Sequence, residues 1–186
     1  MNFVLAITGA TGAGFGVATL KRLQASAKVE CVDLLISPTG RRCLVDECGL
    51  KAEALISEKV RLLNERDLGS GISSGSHRHD GMVIVPCSAG SLGRIASGTS
   101  DNLICRAADV TLKERRPLVL CLRETPLNRI HLENALRVHD AGAVVMPLMP
   151  AFYAKPGSLQ DLFDTFATRI LDQLGIVEED PRRWKG

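Results

Sequence analysis

The stretch Asn2–Gly16, NFVLAITGATGAGFG, decides the fold. From Asn2 to Thr8 it is a short apolar and β-branched run, which suits a strand buried on both faces. It ends in a glycine-rich turn, after which a helix is expected from about Ala13 to Ala25 with Val17, Leu20 and Leu23 inward. A second strand is expected at Val29–Ile36, followed by Ser37-Pro38, a capping serine with proline in the first helical turn. Strand, glycine turn, helix, strand is the opening of a parallel β-α-β unit.

The pattern repeats downstream. Met82–Pro86 (MVIVP), Pro117–Leu122 (PLVLCL) and Ala143–Met146 read as further short buried strands, with helical stretches between them. Asp101 is the expected cap of a helix whose stripe is Leu103, Ile104, Ala107, Ala108, Thr111 and Leu112, and Ser158 opens the last helix. Lys51–Arg66 has charged helical character, and Gly69–Gly81 reads as a Gly/Ser loop. The expected class is α/β, a Rossmann-like (flavodoxin-type) doubly wound, mainly parallel sheet with helices on both faces. One domain is expected over 1–175, with a polar C-terminal tail at 176–186 that could serve as an interaction arm.

Composition narrows the function. The chain has 186 residues, of which 45% are hydrophobic and 24% charged, so long-range disorder is excluded. Its 23 basic and 21 acidic residues give a net charge of +2, too even for a protein that lives on the nucleic-acid backbone. The six cysteines (31, 43, 48, 87, 105 and 121) form no C-x-x-C pair and no metal-ligand spacing, and read as small core residues. No secretory signal or membrane span is visible, and a reduced, soluble, cytoplasmic protein is expected.

In such a sheet the ligand lies beyond the carboxyl ends of the strands, so the residues just after each strand matter most. After the first comes the glycine loop, compatible with phosphate binding or with a plain tight turn. It matches neither G-x-G-x-x-G nor T-G-x-x-x-G-x-G, and no Tyr-x-x-x-Lys pair exists, so a nicotinamide dehydrogenase comes last. Cys87-Ser88-Ala89-Gly90-Ser91 either cradles an anion or supplies an ordinary N-cap. Arg123-Glu124 sits in the ligand crevice or caps the next helix with a salt bridge. Pro147–Lys155 (PLMPAFYAK) exposes apolar and aromatic residues, as a ligand lid or a subunit interface. Arg106 and Lys113, seven apart on one helix face, grip a phosphate or are solvated surface. Arg169 flanks the last apolar stripe, where it snorkels or reaches an anion. His77 and His79 read as exposed loop residues.

Taken together, GATGAGFG (Gly9–Gly16), ISSGS (Ile72–Ser76), PCS (Pro86–Ser88), RAADVTLKERRPLVLCLRETPL (Arg106–Leu127) and MPAFYAKPGSLQDL (Met149–Leu162) resemble the UbiX-type flavin prenyltransferases, collinearly over almost the whole chain. The resemblance implies a homododecamer with FMN at subunit interfaces. It implies transfer of the dimethylallyl group of dimethylallyl phosphate to N5 and C6 of reduced FMN, without a metal ion. The product, prenylated FMN, would serve a UbiD-type decarboxylase. Carried over, Gly9, Ala10, Thr11, Ser37, Ser88, Ala89, Gly90, Ser91, Arg106 and Arg123 would hold FMN. Lys113, Tyr153 and Arg169, with Arg123 nearby, would grip the prenyl phosphate, and Glu47 and Glu124 would handle protons. The chain departs from the family at Thr11, where serine is usual, and at Ala89-Gly90, where lysine and threonine are common. A flavin-dependent decarboxylase would need a histidine in the first helix, and none occurs between Ala13 and Ala27. A non-catalytic FMN carrier would not need the second phosphate site.

Overall fold

A computed structural model describes residues 1–180, 183 and 184. Six strands form one sheet: β1 (Asn2–Ile7), β2 (Cys31–Ile36), β3 (Val60–Leu63), β4 (Gly81–Cys87), β5 (Leu118–Leu122) and β6 (Val144–Val145). Their order is β3-β2-β1-β4-β5-β6, and every neighbouring pair is parallel. The helices are α1 (Ala13–Ala25), α2 (Pro38–Cys48), α3 (Ala89–Ala96), α4 (Leu103–Lys113), α5 (Arg129–Asp140) and α6 (Leu159–Gln173). Without the short edge strand β3 the order is that of a flavodoxin-type sheet; with it, the order is that of a dinucleotide-binding sheet.

β1 is buried on both faces, as its unbroken apolar run requires. Phe3, Leu5 and Ile7 point into one core with Val17 and Leu20 of α1 and Phe166 and Ile170 of α6. Val4 and Ala6 point into the other, against Leu92 of α3 and Ile104 and Ala108 of α4. Two glycines of the opening stretch serve packing and not a ligand. A Cβ on Gly16 would sit 2.6 Å from the Val85 carbonyl oxygen, and one on Gly14 would sit 2.4 Å from the Phe163 ring. They let α1 lie flush on the sheet and on α6, where Phe15 meets Phe163 and Phe166 edge-on at 4.7 and 5.2 Å.

Three expectations are corrected. The charged stretch 51–66 is not a helix: it forms a single 3-10 turn, Ala52–Leu55, and then β3. Its arginine is the reason. Arg61 stands opposite Asp33 in the β2 register, and its Nε and Nη2 donate to the Asp33 carboxylate at 2.9 and 3.1 Å. The charge is therefore a cross-strand partner for a buried acid on an edge strand, a place where charge is tolerated. The cap of α4 is Asn102, whose side chain accepts from the Cys105 N–H, and not Asp101.

The third concerns His79, which is buried and not an exposed loop residue. Its Nδ1 lies 3.2 Å from the Gly81 carbonyl, and its Nε2 lies 3.5 Å from the Thr111 hydroxyl. The stretch expected as a polar tail opens with Ile176, fully buried, and returns to the domain through buried Asp180. Asp180 accepts from Arg22 at 2.7 Å and from Thr168 at 2.6 Å. Residues 181, 182, 185 and 186 of that stretch lie outside the described residues.

Burial, and then the nearby Arg116 charge, push the His79 imidazole below its ordinary value of 6.5. The unfolded chain thus binds a proton that the folded chain refuses, so stability falls as pH drops through about 6.5 and the loss levels off below the depressed folded-state value. His79→Gln should show a smaller drop in melting temperature between about pH 7.5 and 5.5 than the unmodified chain. Equal drops in the two proteins would show that His79 carries no such linkage.

Candidate active site

Strands β1, β2 and β4 end on one edge of the sheet, and a 510 Å³ cavity opens there. Three helices begin at its wall. Ser37 caps α2 by accepting from the Gly40 N–H at 3.0 Å, Ser88 caps α3 by accepting from Ser91 N–H at 3.2 Å, and Asn102 caps α4. All three caps line the cavity, so three helix N-termini direct their partial positive charge into one space. A hydrogen-bonded chain holds Ser88: its N–H donates to Thr8 Oγ1 at 2.9 Å, and that hydroxyl donates to the Pro86 carbonyl at 2.8 Å.

Gly9 forms the floor. A Cβ there would come within 2.5 Å of Thr39 Cβ, so only a bare backbone fits between the cavity and α2. The chemistry of this lining suits a nucleotide phosphate. It offers serine hydroxyls, a glycine backbone and helix N-termini, with Ile104 as an apolar wall and two ion pairs, Arg66–Glu65 and Arg94–Asp101, at its rim. FMN, the group expected from the sequence, fits this donor set.

The N-terminus of α1 is already satisfied. Glu47, reaching from α2, accepts from both Gly12 N–H and Ala13 N–H at 2.8 Å each. Gly12 has φ +103°, in the left-handed region, and supplies no side-chain cap. The carboxylate of Glu47 therefore does the capping from another helix and ties the loop 9–13 to α2.

A second cavity of 340 Å³ is lined by Met146, Met149, Ala151, Tyr153, Thr165, Phe166 and Arg169. It combines an apolar wall with one phenol and one guanidinium. Leu148 of the β6 loop lies against the first loop: a Cβ on Gly12 would meet it at 3.4 Å. That loop does expose apolar side chains, with Met149 and Phe152 largely solvent-facing. Arg123 leaves β5 beside Ser88, because Leu122 pairs with Cys87 and the Arg123 N–H donates to the Cys87 carbonyl at 2.9 Å.

The expected site residues besides Glu47 thus fall into four groups. Gly9, Ser37, Ser88 and Ser91 line the first cavity, with Ala10 and Thr11 in the loop above it and Ala89 and Gly90 in the first turn of α3. Tyr153 and Arg169 line the second. Arg123 and Glu124 follow β5 on the same sheet edge; Glu124 is exposed, accepts from the Thr125 N–H at 3.1 Å and makes no ion pair with Arg123. Arg106 and Lys113 join neither cavity. Arg106 donates to the Ser73 carbonyl at 3.0 Å and pairs with Asp109 at 2.6 Å. Lys113, at the far end of α4 and about 15 Å from its start, pairs with Glu114.

Sequence reading missed Thr39, Asn102, Met146 and Phe166. Asn102 carried a signal, a capping residue one place before an apolar stripe, but the acid beside it drew attention away. The others line cavities only because distant elements meet. Cys87, next to Ser88, is no nucleophile, since complete burial pushes its thiol up to about 12. Loss of the Glu47 cap has a measurable cost: Glu47→Ala should lower unfolding stability by about 1 kcal/mol in urea titration, and Glu47→Gln, which keeps an acceptor, by less.

Comparison with known proteins shows the family of the chain. A family model described as Flavoprotein matches residues 1–171. A probable UbiX-like flavin prenyltransferase of Bacillus subtilis (strain 168) is 45% identical over all of this chain and 90% of its own length. The crystal structure of AnUbiX (PadA1) in complex with FMN and dimethylallyl pyrophosphate is 44% identical, with a TM-score of 0.89, covering 100% of this chain and 97% of that one. A dodecameric FMN-dependent UbiX-like decarboxylase from Escherichia coli O157:H7 is 41% identical with a TM-score of 0.95, and each chain is covered completely. With identity of this degree over its whole length, the chain belongs to the flavoproteins and, among them, to the UbiX-type flavin prenyltransferases.

Proposed function

We propose that this protein joins the dimethylallyl group of dimethylallyl phosphate to N5 and C6 of reduced FMN, releasing phosphate and delivering prenylated FMN to a UbiD-type decarboxylase. One observation carries the reading: the chain holds two cavities of different chemistry, the first lined by serine hydroxyls and helix N-termini, the second by apolar side chains with one phenol and one guanidinium.

Reduced FMN, when bound, supplies the nucleophilic ring atoms. The chain's own residues do the rest. Ser37, Ser88 and Ser91, with Gly9, Ala10, Thr11 and the first turn of α3 at Ala89 and Gly90, hold the flavin nucleotide, and Arg123 closes that site. Tyr153 and Arg169 grip the donor phosphate. A guanidinium and a phenol in a space walled by Met146 and Phe166 neutralise the charge that grows as the phosphate leaves. The same apolar walls keep water from the allylic carbon. Glu124, exposed at the end of β5, takes up the proton released at C6. Glu47 orients the loop 9–13 through its two backbone contacts.

Arg106 and Lys113 reach neither cavity of their own chain, and this supports a site completed by neighbouring copies. The chain exposes Ile130, Leu132 and Leu136 on α5 and Met149, Phe152 and Leu159 around the second cavity, an apolar surface suited to contact between subunits. A homododecamer is the assembly proposed. The described residues include no helix long and apolar enough to cross a membrane. The six unpaired cysteines suit a reducing compartment, and the cytoplasm is the proposed location.

Incubation of the protein with reduced FMN and dimethylallyl phosphate should yield flavin heavier by one prenyl group, together with free phosphate. Recovery of unchanged FMN would leave only a carrier. The two cavities should also separate in mutants. Arg169→Ala should lower kcat/KM for the donor by about ten- to a hundredfold, the scale of one hydrogen-bonded charge, and Tyr153→Phe by less, while FMN affinity stays unchanged in both. Parallel loss of FMN would show that the cavities are not independent.

A further inference from the structure

The C-terminal segment beyond Ile176 folds back onto α6 beside the second cavity. Arg183 is its anchor: its Nη1 and Nη2 donate to the two oxygens of Asp172 at 2.8 and 2.6 Å, and Nη2 also reaches the Glu178 carbonyl at 2.9 Å. Trp184 packs edge-on against Tyr153, with ring centroids 5.4 Å apart. Tyr153, Thr165, Thr168, Arg169, Asp180 and Arg183 surround a small crevice that shares Tyr153, Thr165 and Arg169 with the second cavity.

Asp172 lies one helical turn after Arg169, the spacing of an intrahelical ion pair. Arg169 makes only a long ion pair with it, Nη1 to Asp172 Oδ2 at 3.7 Å and without a hydrogen bond, while Arg183 holds both carboxylate oxygens. A two-pronged guanidinium–carboxylate pair is the stronger of the two arrangements. Arg169 is more than half exposed and faces the cavity.

We propose that Arg183 is a positioning residue for the donor pocket: by engaging Asp172 through both oxygens it prevents that carboxylate from capturing Arg169, which stays available to the phosphate of the prenyl donor. Without Arg183, Asp172 is a competing anion a short side-chain rotation away from Arg169. Trp184, in the same segment, braces the ring of Tyr153 across the same pocket. This deepens the functional reading above and rests on it for the identity of the ligand, but the competition between Asp172 and an incoming anion does not depend on turnover.

The test uses the full-length FMN-loaded protein, titrated calorimetrically with dimethylallyl phosphate and separately with inorganic phosphate, alongside turnover. Arg183→Ala should weaken donor binding by about tenfold, the scale of one lost ionic contact, with FMN affinity unchanged. Adding Asp172→Asn to that variant removes the competitor and should restore affinity to within about twofold of the unmodified protein. Asp172→Asn alone should bind the donor at least as well as the unmodified chain, and it reads the same competition should Arg183→Ala fail to fold. The proposal is overturned if Arg183→Ala binds like the unmodified protein, if the double variant stays as weak as the single one, or if Asp172→Asn alone loses donor affinity. Absence of prenyl transfer by the unmodified protein, with this pattern retained for phosphate binding, would remove the functional reading and leave the role of Arg183 standing.

Discussion

The hydrogen bonding of β1 to two parallel neighbours, β2 on one side and β4 on the other, is the constraint on which everything else rests. Chains leaving β1 and β4 turn to opposite faces of the sheet, because each crossover must be right-handed. A crevice is left between them, and the helices that follow β2 and β4 begin at its rim. The accumulation of helix N-termini around Ser37, Ser88 and Asn102 is thus a consequence of strand order, and the positive potential of the crevice follows from it.

Within that frame the loop 9–13 does two jobs. Gly9 brings backbone close to α2 at the floor of the first cavity, while Gly12 turns the chain into α1 beside the β6 loop. Glu47 holds the loop in place by capping α1 from α2. One consequence is chemical: a carboxylate occupies the N-terminus of α1, and the N-termini that line the first cavity are those of α2, α3 and α4.

The second cavity has a different construction. Its apolar side comes from the segment after β6 and from α6 and its polar groups from Tyr153 and Arg169, and the adjoining crevice takes in Asp180, paired with Arg22, and Arg183, paired with Asp172. Cations at this end are shared among acids of the same chain, so the strength of the anion site is set by which carboxylate each arginine serves. The apolar residues around it are left uncovered in a single chain, as expected of a site that neighbouring copies help to build.

The sequence by itself determined five of the six strands, all but β3, and most of the helix starts, because those depend on neighbours within a few residues. The runs NFVLAI and MVIVP, the serines at 37, 88 and 158 and the glycine turn all act locally, and the family resemblance grouped Gly9, Ser37, Ser88 and Ser91, which line one cavity. Only the tertiary structure decided the pairings between distant positions. Arg61 lies 28 residues from Asp33, and their contact turns an apparently helical stretch into β3. Glu47 is 35 residues from Gly12, and Asp180 is 158 from Arg22. His79 is buried by α4 and β4, elements its loop sequence does not mention. Lys113 and Arg106 share a helix face in sequence, yet the length of α4 and the direction of the sheet carry Lys113 to the far edge. Local patterning reports which side of an element is apolar; which charged group ends opposite which other is settled only when the elements have packed.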